Sequence, residues 1–164
     1  MHQIDTSMKK LMILIVAIVF TLPLFSQNIS EGKDGLYYDS QGALYTGTYR
    51  NFYENGQIKT EIPLINGLKS GSMMIYFQNG QTNEIRSYKD GKMDGTWLTF
   101  TEKGSKVAEA NYANGIKNGK WFIWDENGIL RYDMTYDQGK KVGLWIIFDE
   151  KGNKLSERNY NATP

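Results

Sequence analysis

The chain has 164 residues, room for one modest domain, with 19 basic and 18 acidic side chains, one histidine and no cysteine. Without cysteine there is no disulfide framework, no thiolate metal site and no lipid-modified N-terminal cysteine. A balanced charge argues against nucleic acid, whose binding draws on clustered Lys and Arg, and against a polybasic grip on anionic lipid.

The first element in chain order is a leader. Lys9 and Lys10 precede an apolar run from Leu11 to Phe25, broken only by Thr21 and Pro23 and followed by Ser26 and Gln27. A short basic region, a brief apolar core and a small residue at its end describe a secretory signal peptide. Cleavage after Ser26 is expected, and Met8 is a candidate true start because residues 1–7 add nothing to a signal. The alternative, an uncleaved anchor, falls short of the ~20 apolar residues that span a bilayer comfortably. The ending Leu24-Phe25-Ser26-Gln27 resembles export signals of Bacteroidetes-type bacteria. The expected location is therefore periplasmic, outer-membrane-associated or extracellular. Removing Lys9, Lys10 and Asp5 leaves 17 basic and 17 acidic residues, a formally neutral mature chain.

Beyond the leader the chain repeats itself every 24 residues. Gly47, Gly71, Gly95, Gly119 and Gly143 keep that step, as do Gly56, Gly80, Gly104, Gly128 and Gly152. Gly67, Gly91, Gly115 and Gly139 form a third series, and Tyr88, Tyr112, Tyr136 and Tyr160 a fourth. Trp97, Trp121 and Trp145 form a fifth, with Met73 and Tyr49 in the earlier registers, and Phe52, Tyr76, Phe100, Trp124 and Phe148 a sixth.

Each unit reads as a β-hairpin. Its first strand is a short aromatic and β-branched run, such as Lys120 to Trp124 or Leu144 to Phe148. The turn after it carries Asn55-Gly56, Asn79-Gly80 or Asn127-Gly128, a dipeptide suited to two residues at positive φ. The second strand alternates, with Leu130, Tyr132, Met134 and Tyr136 on one side and Arg131, Asp133 and Thr135 on the other. Ile58, Ile62 and Leu64 keep that phase in the first copy, where Pro63 removes a ladder donor and marks an irregular pairing. A glycine turn such as Asn66-Gly67 leads to the next unit. Trp121 and Ile123 then face one way, Phe122 and Trp124 the other, and one face is expected to carry an aromatic ladder between hairpins.

These marks divide the chain into a leader at 1–26, a short segment at 27–34, an array at 35–160 and a tail at 161–164. Within the array, a partial repeat at 35–46 precedes repeats near 47–66, 67–90, 91–114, 115–138 and 139–160. The partial copy, from Gly35 to Gly42, is short and out of phase, as terminal repeats that cap an array often are. Short links make sequence neighbours pair in space. The expected fold is all-β: an elongated antiparallel meander of 24-residue hairpins, rising about 10 Å per unit.

The pattern Asn/Asp-Gly-x-x-x-Gly-x-Trp-x-x-Phe/Trp-x-x-x-Gly resembles the MORN repeat variant of bacterial proteins, over about residues 35–160. The resemblance implies a hairpin array that binds rather than catalyses. Bacterial members are often labelled antitoxin-like, and the family name suggests lipid binding, although many such arrays are scaffolds for proteins. An exported antitoxin could not neutralise a cytoplasmic toxin. The stretch from Gly119 to Gly128 is also similar to choline- and glucan-binding cell-wall repeats, whose hairpin aromatics cage ammonium groups or stack on sugars.

Catalytic chemistry is sparse. His2 precedes the leader's apolar run, so the mature chain lacks both His and Cys, removing the commonest general base, thiol nucleophiles and imidazole ligands. Glu54, Glu102, Asp125, Glu126, Asp149 and Glu150 occupy recurring turn positions and read as turn formers rather than a carboxylate pair. Asp125-Glu126-Asn127 matches no established calcium loop. No metal, cofactor or catalytic residue is expected. The candidate binding residues are the aromatic stripe Trp97, Trp121, Trp124 and Trp145. The glycines Gly56, Gly80, Gly104, Gly128 and Gly152, with Gly71, Gly95, Gly119 and Gly143, are expected to shape turns. The leading expectation is a non-catalytic exported scaffold that binds a protein partner in the cell envelope. The alternatives are lipid or glycan binding through the stripe, and an antitoxin-like or immunity component. The edge strands also invite self-association.

Overall fold

Alternating strands with glycine at every reversal can bury one face only by pairing with the next hairpin, and the chain does this throughout. The computed structural model describes residues 28–161, and these form strands and turns without a helix. The expected leader, its cleavage point and the tail beyond Asn161 lie outside the described residues.

The strands are β1 (Ser30–Glu31), β2 (Tyr37–Tyr38), β3 (Gly47–Phe52), β4 (Ile58–Ile65), β5 (Leu68–Lys69), β6 (Gly71–Tyr76) and β7 (Thr82–Lys89). They continue as β8 (Lys92–Phe100), β9 (Lys106–Ala113), β10 (Ile116–Lys117), β11 (Gly119–Trp124), β12 (Leu130–Asp137), β13 (Lys140–Phe148) and β14 (Lys154–Asn159). One twelve-stranded antiparallel sheet runs in chain order from β3 to β14, with β5 added to β4 and β10 to β9. β1 and β2 pair separately. The meander of 24-residue hairpins expected from the sequence is the fold observed.

The two kinds of turn are distributed differently from the expectation. Positive φ at both central residues occurs at Asn66-Gly67, Asp90-Gly91, Asn114-Gly115 and Gln138-Gly139, the links between units. At Asn55-Gly56 and its equivalents only the glycine has positive φ. There Gly56 N–H donates to the Tyr53 carbonyl at 2.9 Å and Tyr53 N–H to the Gln57 carbonyl at 2.8 Å, a three-residue loop closed by a glycine bulge. This explains why Gly104 and Gly152 work without a preceding asparagine. The partial copy builds the same turn, Gly42 N–H donating to the Asp39 carbonyl at 3.1 Å.

The second glycine of each pair is not a turn residue. β8 runs unbroken through Gly95 and β13 through Gly143. Arg86 opposes Trp97 while Tyr88 opposes Met93, so two extra residues are accommodated on β8 around Gly95. A side chain at Gly95, at φ 94°, would press on Ser87 Cβ at 3.1 Å. The same offset separates β5 from β6 and β10 from β11. Pro63 therefore falls where every repeat is irregular. Toward β3 it pairs in register with Thr48, and its carbonyl accepts Ser70 N–H at 3.0 Å across the bulge. A second bulge beside each loop places Ile58 opposite Phe52 and Leu130 opposite Trp124. Ile58 and Leu130 thus leave the phase expected for them.

A single sheet has no second layer to enclose its faces, so most side chains are only half-buried. Enclosure occurs at one end. Residues 28–46 fold against the first two hairpins, where Tyr37 (3% exposed), Ile62, Leu64 (2%) and Met73 form a buried cluster. Ile29, Tyr45, Tyr49, Ile75 and Tyr88 pack around it. Elsewhere each hairpin contacts mainly its neighbours. Deleting residues 91–114, one whole period, is expected to leave a cooperatively unfolding shorter array, measured by thermal denaturation; a molten product would contradict the repeat architecture.

Candidate functional site

Cross-strand partners assign the two faces, because residues directly opposite point to the same side. Trp121 opposes Met134, Ile123 opposes Tyr132, and Tyr132 opposes Ile147. Trp97 opposes Ala110, and Trp145 opposes Arg158. These residues share what is here called the ladder face.

Along it runs a chain of rings. Tyr88–Trp97 centroids lie 5.9 Å apart, Trp97–Tyr112 5.0 Å, Tyr112–Trp121 5.2 Å and Trp121–Tyr136 5.2 Å. Tyr136–Trp145 at 5.1 Å and Trp145–Tyr160 at 4.9 Å complete it. All are tilted or edge-on, the geometry that ring quadrupoles favour, at about 0.5–1.5 kcal/mol per pair. Each indole also makes a bond. Trp97 Nε1–H donates to the Ser87 carbonyl at 3.3 Å, Trp121 to Asn111 at 3.0 Å and Trp145 to Thr135 at 2.9 Å. Those carbonyls sit opposite the bulges.

Trp97, Trp121 and Trp145 are thus brought into one line, joined through tyrosines. Trp124 is not. It lies on the opposite face, 5.5 Å from Phe122, with Lys106 Nζ 4.4 Å from its ring. The tryptophans do not form a single stripe of four.

Cations lie over the ladder. Lys117 Nζ is 4.4 Å from the Trp121 ring and 4.9 Å from Tyr136; Lys141 Nζ is 4.6 Å from Trp145 and 5.3 Å from Tyr160. Arg158 sits 5.0 Å from Tyr160 and Arg86 4.9 Å from Trp97. Beside the ladder, Ile123 (41% exposed), Tyr132 (39%) and Ile147 (37%) form an open apolar row. Composition and the tryptophan series did not single out these residues. The signal was present, since Lys69, Lys117 and Lys141 also recur at 24-residue steps, with Met93 in the remaining register.

The opposite face is internally neutralised. Glu61, Glu109, Asp133 and Glu157 share the 24-residue register, with Ile85 in the remaining copy, and each meets its own cation: Arg50 at 2.6 Å, Lys106 at 2.7 Å, Lys120 at 2.7 Å and Lys154 at 2.7 Å. The Arg50 hydrogen bond, then that from Tyr76 Oη, hold the Glu61 carboxyl below its ordinary value. The turn carboxylates act on backbone. Asp125 accepts N–H groups of Asn127 and Ile129, and Asp149 those of Lys151 and Asn153. The Asn153 side chain is foremost in holding Asp149 below the usual carboxylate range. Among the described residues no group of acidic or histidine side chains could hold a metal ion.

Three segments match the MORN repeat variant: residues 45–66, 117–138 and 141–162. The first takes in β3 and β4, the second the hairpin of Trp121, the third that of Trp145. No curated protein matches the chain. The MORN repeat is a non-catalytic type, generally associated with protein or membrane-lipid binding. Within the second and third matched segments, Gly128 and Gly152 sit in the loops described above, Gly119 and Gly143 at the bulges, and Trp121 and Trp145 in the ladder.

Two expectations follow. Trp121→Ala should cost about 3 kcal/mol, the low end for truncating a buried aromatic, and Trp121→Phe about 1 kcal/mol for the lost indole bond, by urea denaturation. A loss below ~1 kcal/mol for the alanine variant would remove the packing role. Because the Glu61 pKa is depressed on folding, its contribution is present above the unfolded value and lost as pH falls through the folded one. Glu61→Gln should therefore lower stability at pH 7 by up to about 1 kcal/mol and change it little at pH ~2, measured by denaturation at both.

Proposed function

We propose that the chain is a non-catalytic scaffold, exported to the cell envelope, that holds a protein partner against the ladder face of its C-terminal hairpins. The observation that carries this reading is the open row Ile123, Tyr132 and Ile147 beside the ladder. At the other end the chain's own residues 28–46 fold on the first two hairpins, where Ile75, the repeat equivalent of Ile123 and Ile147, packs against the cluster that Tyr37 closes. Exposed apolar rows of this kind mark interaction sites. The association of MORN repeats with protein binding supports the same reading.

The competing ligands fit less well. A choline or ammonium cage needs vacant ring faces, and Lys117, Lys141 and Arg158 already lie over the rings of Trp121, Trp145 and Tyr160. Those three cations fall short of the 4–8 that grip an anionic membrane. Export rests on Lys9, Lys10 and the apolar run from Leu11 to Phe25, and it removes the setting in which an antitoxin would meet a cytoplasmic toxin.

Expression in a Bacteroidetes-type host tests both halves together. Protein from the envelope fraction is expected to begin at Gln27 and to retain a stoichiometric partner that Ile123→Asp with Tyr132→Asp releases at least tenfold, with the thermal midpoint little changed. Protein starting at Met1 or Met8 in the cytoplasm would contradict export, and a partner indifferent to the two substitutions would contradict the docking surface.

A further inference from the structure

The two faces differ in charge in a way that specifies the partner. On the ladder face, strand positions from β8 onward carry Lys117, Lys141 and Arg158 and no Asp or Glu, judged by cross-strand register. Among the described residues none of the three has an ion-pair partner, and each lies over aromatic rings. Every recurring strand carboxylate of the other face is already matched within the chain. The uncompensated positive charge therefore sits on the same face as the open apolar row Ile123–Tyr132–Ile147.

The other end of the same face shows what such a surface accepts. Lys69 is the repeat equivalent of Lys117 and Lys141, and it lies 5.7 Å from Tyr37 and 5.8 Å from Tyr88. Tyr37 belongs to the segment that covers the face there. Residues 28–46 carry Glu31, Asp34 and Asp39 against Lys33 alone, and Tyr37 Oη donates to Glu31 at 3.0 Å. A net-acidic segment is thus seated on the repeat's lysine through the Tyr37 ring where the face is covered, with Glu31 held by the Tyr37 hydroxyl. Where the face is open, the lysines are the same and the segment is missing.

We infer that the C-terminal ladder face binds an extended, acidic, apolar-bearing peptide segment of a partner protein, with carboxylates set against Lys117, Lys141 and Arg158 and apolar side chains against Ile123, Tyr132 and Ile147. This rests on the ladder face being the docking surface and adds the chemistry of what docks. Successive lysines stand two strands apart, about 10 Å, which three residues of an extended polyproline II segment span at ~3.1 Å each, with every third side chain on the same side. A segment laid across the strands meets them with a carboxylate at every third position. Acidic residues also strengthen the attraction without competing for the rings, since the cations keep their ring contacts on the side away from the ligand.

Titration of the purified chain with three synthetic twelve-residue peptides tests this. All share Ile and Tyr at the same positions and differ in having Glu, Gln or Lys at every third residue; binding is read by tryptophan fluorescence and calorimetry. The Glu peptide is expected to bind at least tenfold more tightly than the Gln peptide at 50 mM salt, with the advantage shrinking as salt screens it. Lys117→Glu with Lys141→Glu should abolish that preference, and Lys117→Arg with Lys141→Arg should keep it, separating charge from damage to the ladder. Equal affinity for Glu and Gln peptides overturns the inference. So does binding to phosphatidylglycerol vesicles with none to the Glu peptide. An envelope partner released by Ile123→Asp and Tyr132→Asp but indifferent to Lys117→Glu and Lys141→Glu overturns the acidic chemistry and leaves the scaffold reading standing.

Discussion

The indole N–H of each ladder tryptophan, donated to a carbonyl opposite a glycine bulge, is the interaction on which the rest of this sheet depends. The bulge at Gly95 and its equivalents interrupts the regular pairing once per repeat, and the carbonyl opposite it can hold two donors: the Asn111 carbonyl accepts Asn118 N–H at 2.9 Å and the Trp121 indole at 3.0 Å. Trp97, Trp121 and Trp145 donate to these carbonyls from the next hairpin while their rings pack between tyrosines. One side chain therefore ties register to packing. In the first junction, where the residue opposite the bulge is Pro63 and the ladder residue is Met73, no indole is available. There the covering segment encloses Met73 and Leu64 instead.

From this constraint follows the division of labour between the faces. A one-layer sheet cannot bury two apolar surfaces, so one face concentrates rings and the other matches acids with bases. The surface pairs on the second face are individually weak, and they serve chiefly to keep that face soluble and without unmatched charge. The first face keeps its cations over rings: Arg86 also meets Glu84 at 2.6 Å, whereas Lys117, Lys141 and Arg158 meet no carboxylate among the described residues. Its C-terminal half is the open part, with Ile123, Tyr132 and Ile147 exposed.

The repeat, the strand order and the existence of an aromatic ladder were legible in the 24-residue series, because period, glycine and aromatic positions agree without an insertion. Turn type was less so. Asn-Gly satisfies a two-residue turn and a glycine-bulge loop equally well, and only the spacing of the opposing strands, set by the bulge at Lys59 or Arg131, selects the latter. The same bulge explains why Ile58 and Leu130 escaped a strict period-two reading. Of the candidate site, Trp97, Trp121 and Trp145 share a face, while the alternation along β11 already separated Trp124 from Trp121. The lysines over the rings were hidden for a different reason. Lysine in a glycine-rich link looks like a solvated turn residue until the bulge folds it back over the neighbouring tryptophan.

Exchange of the four indole N–H protons, followed by NMR, tests most directly whether the tryptophans build the array. Trp97, Trp121 and Trp145 donate to backbone carbonyls, whereas Trp124 makes no such bond. Three slowly exchanging indoles, released only by opening of the surrounding hairpins, and one fast indole from Trp124 are expected. Exchange of the three ladder indoles as fast as that of Trp124 would contradict this.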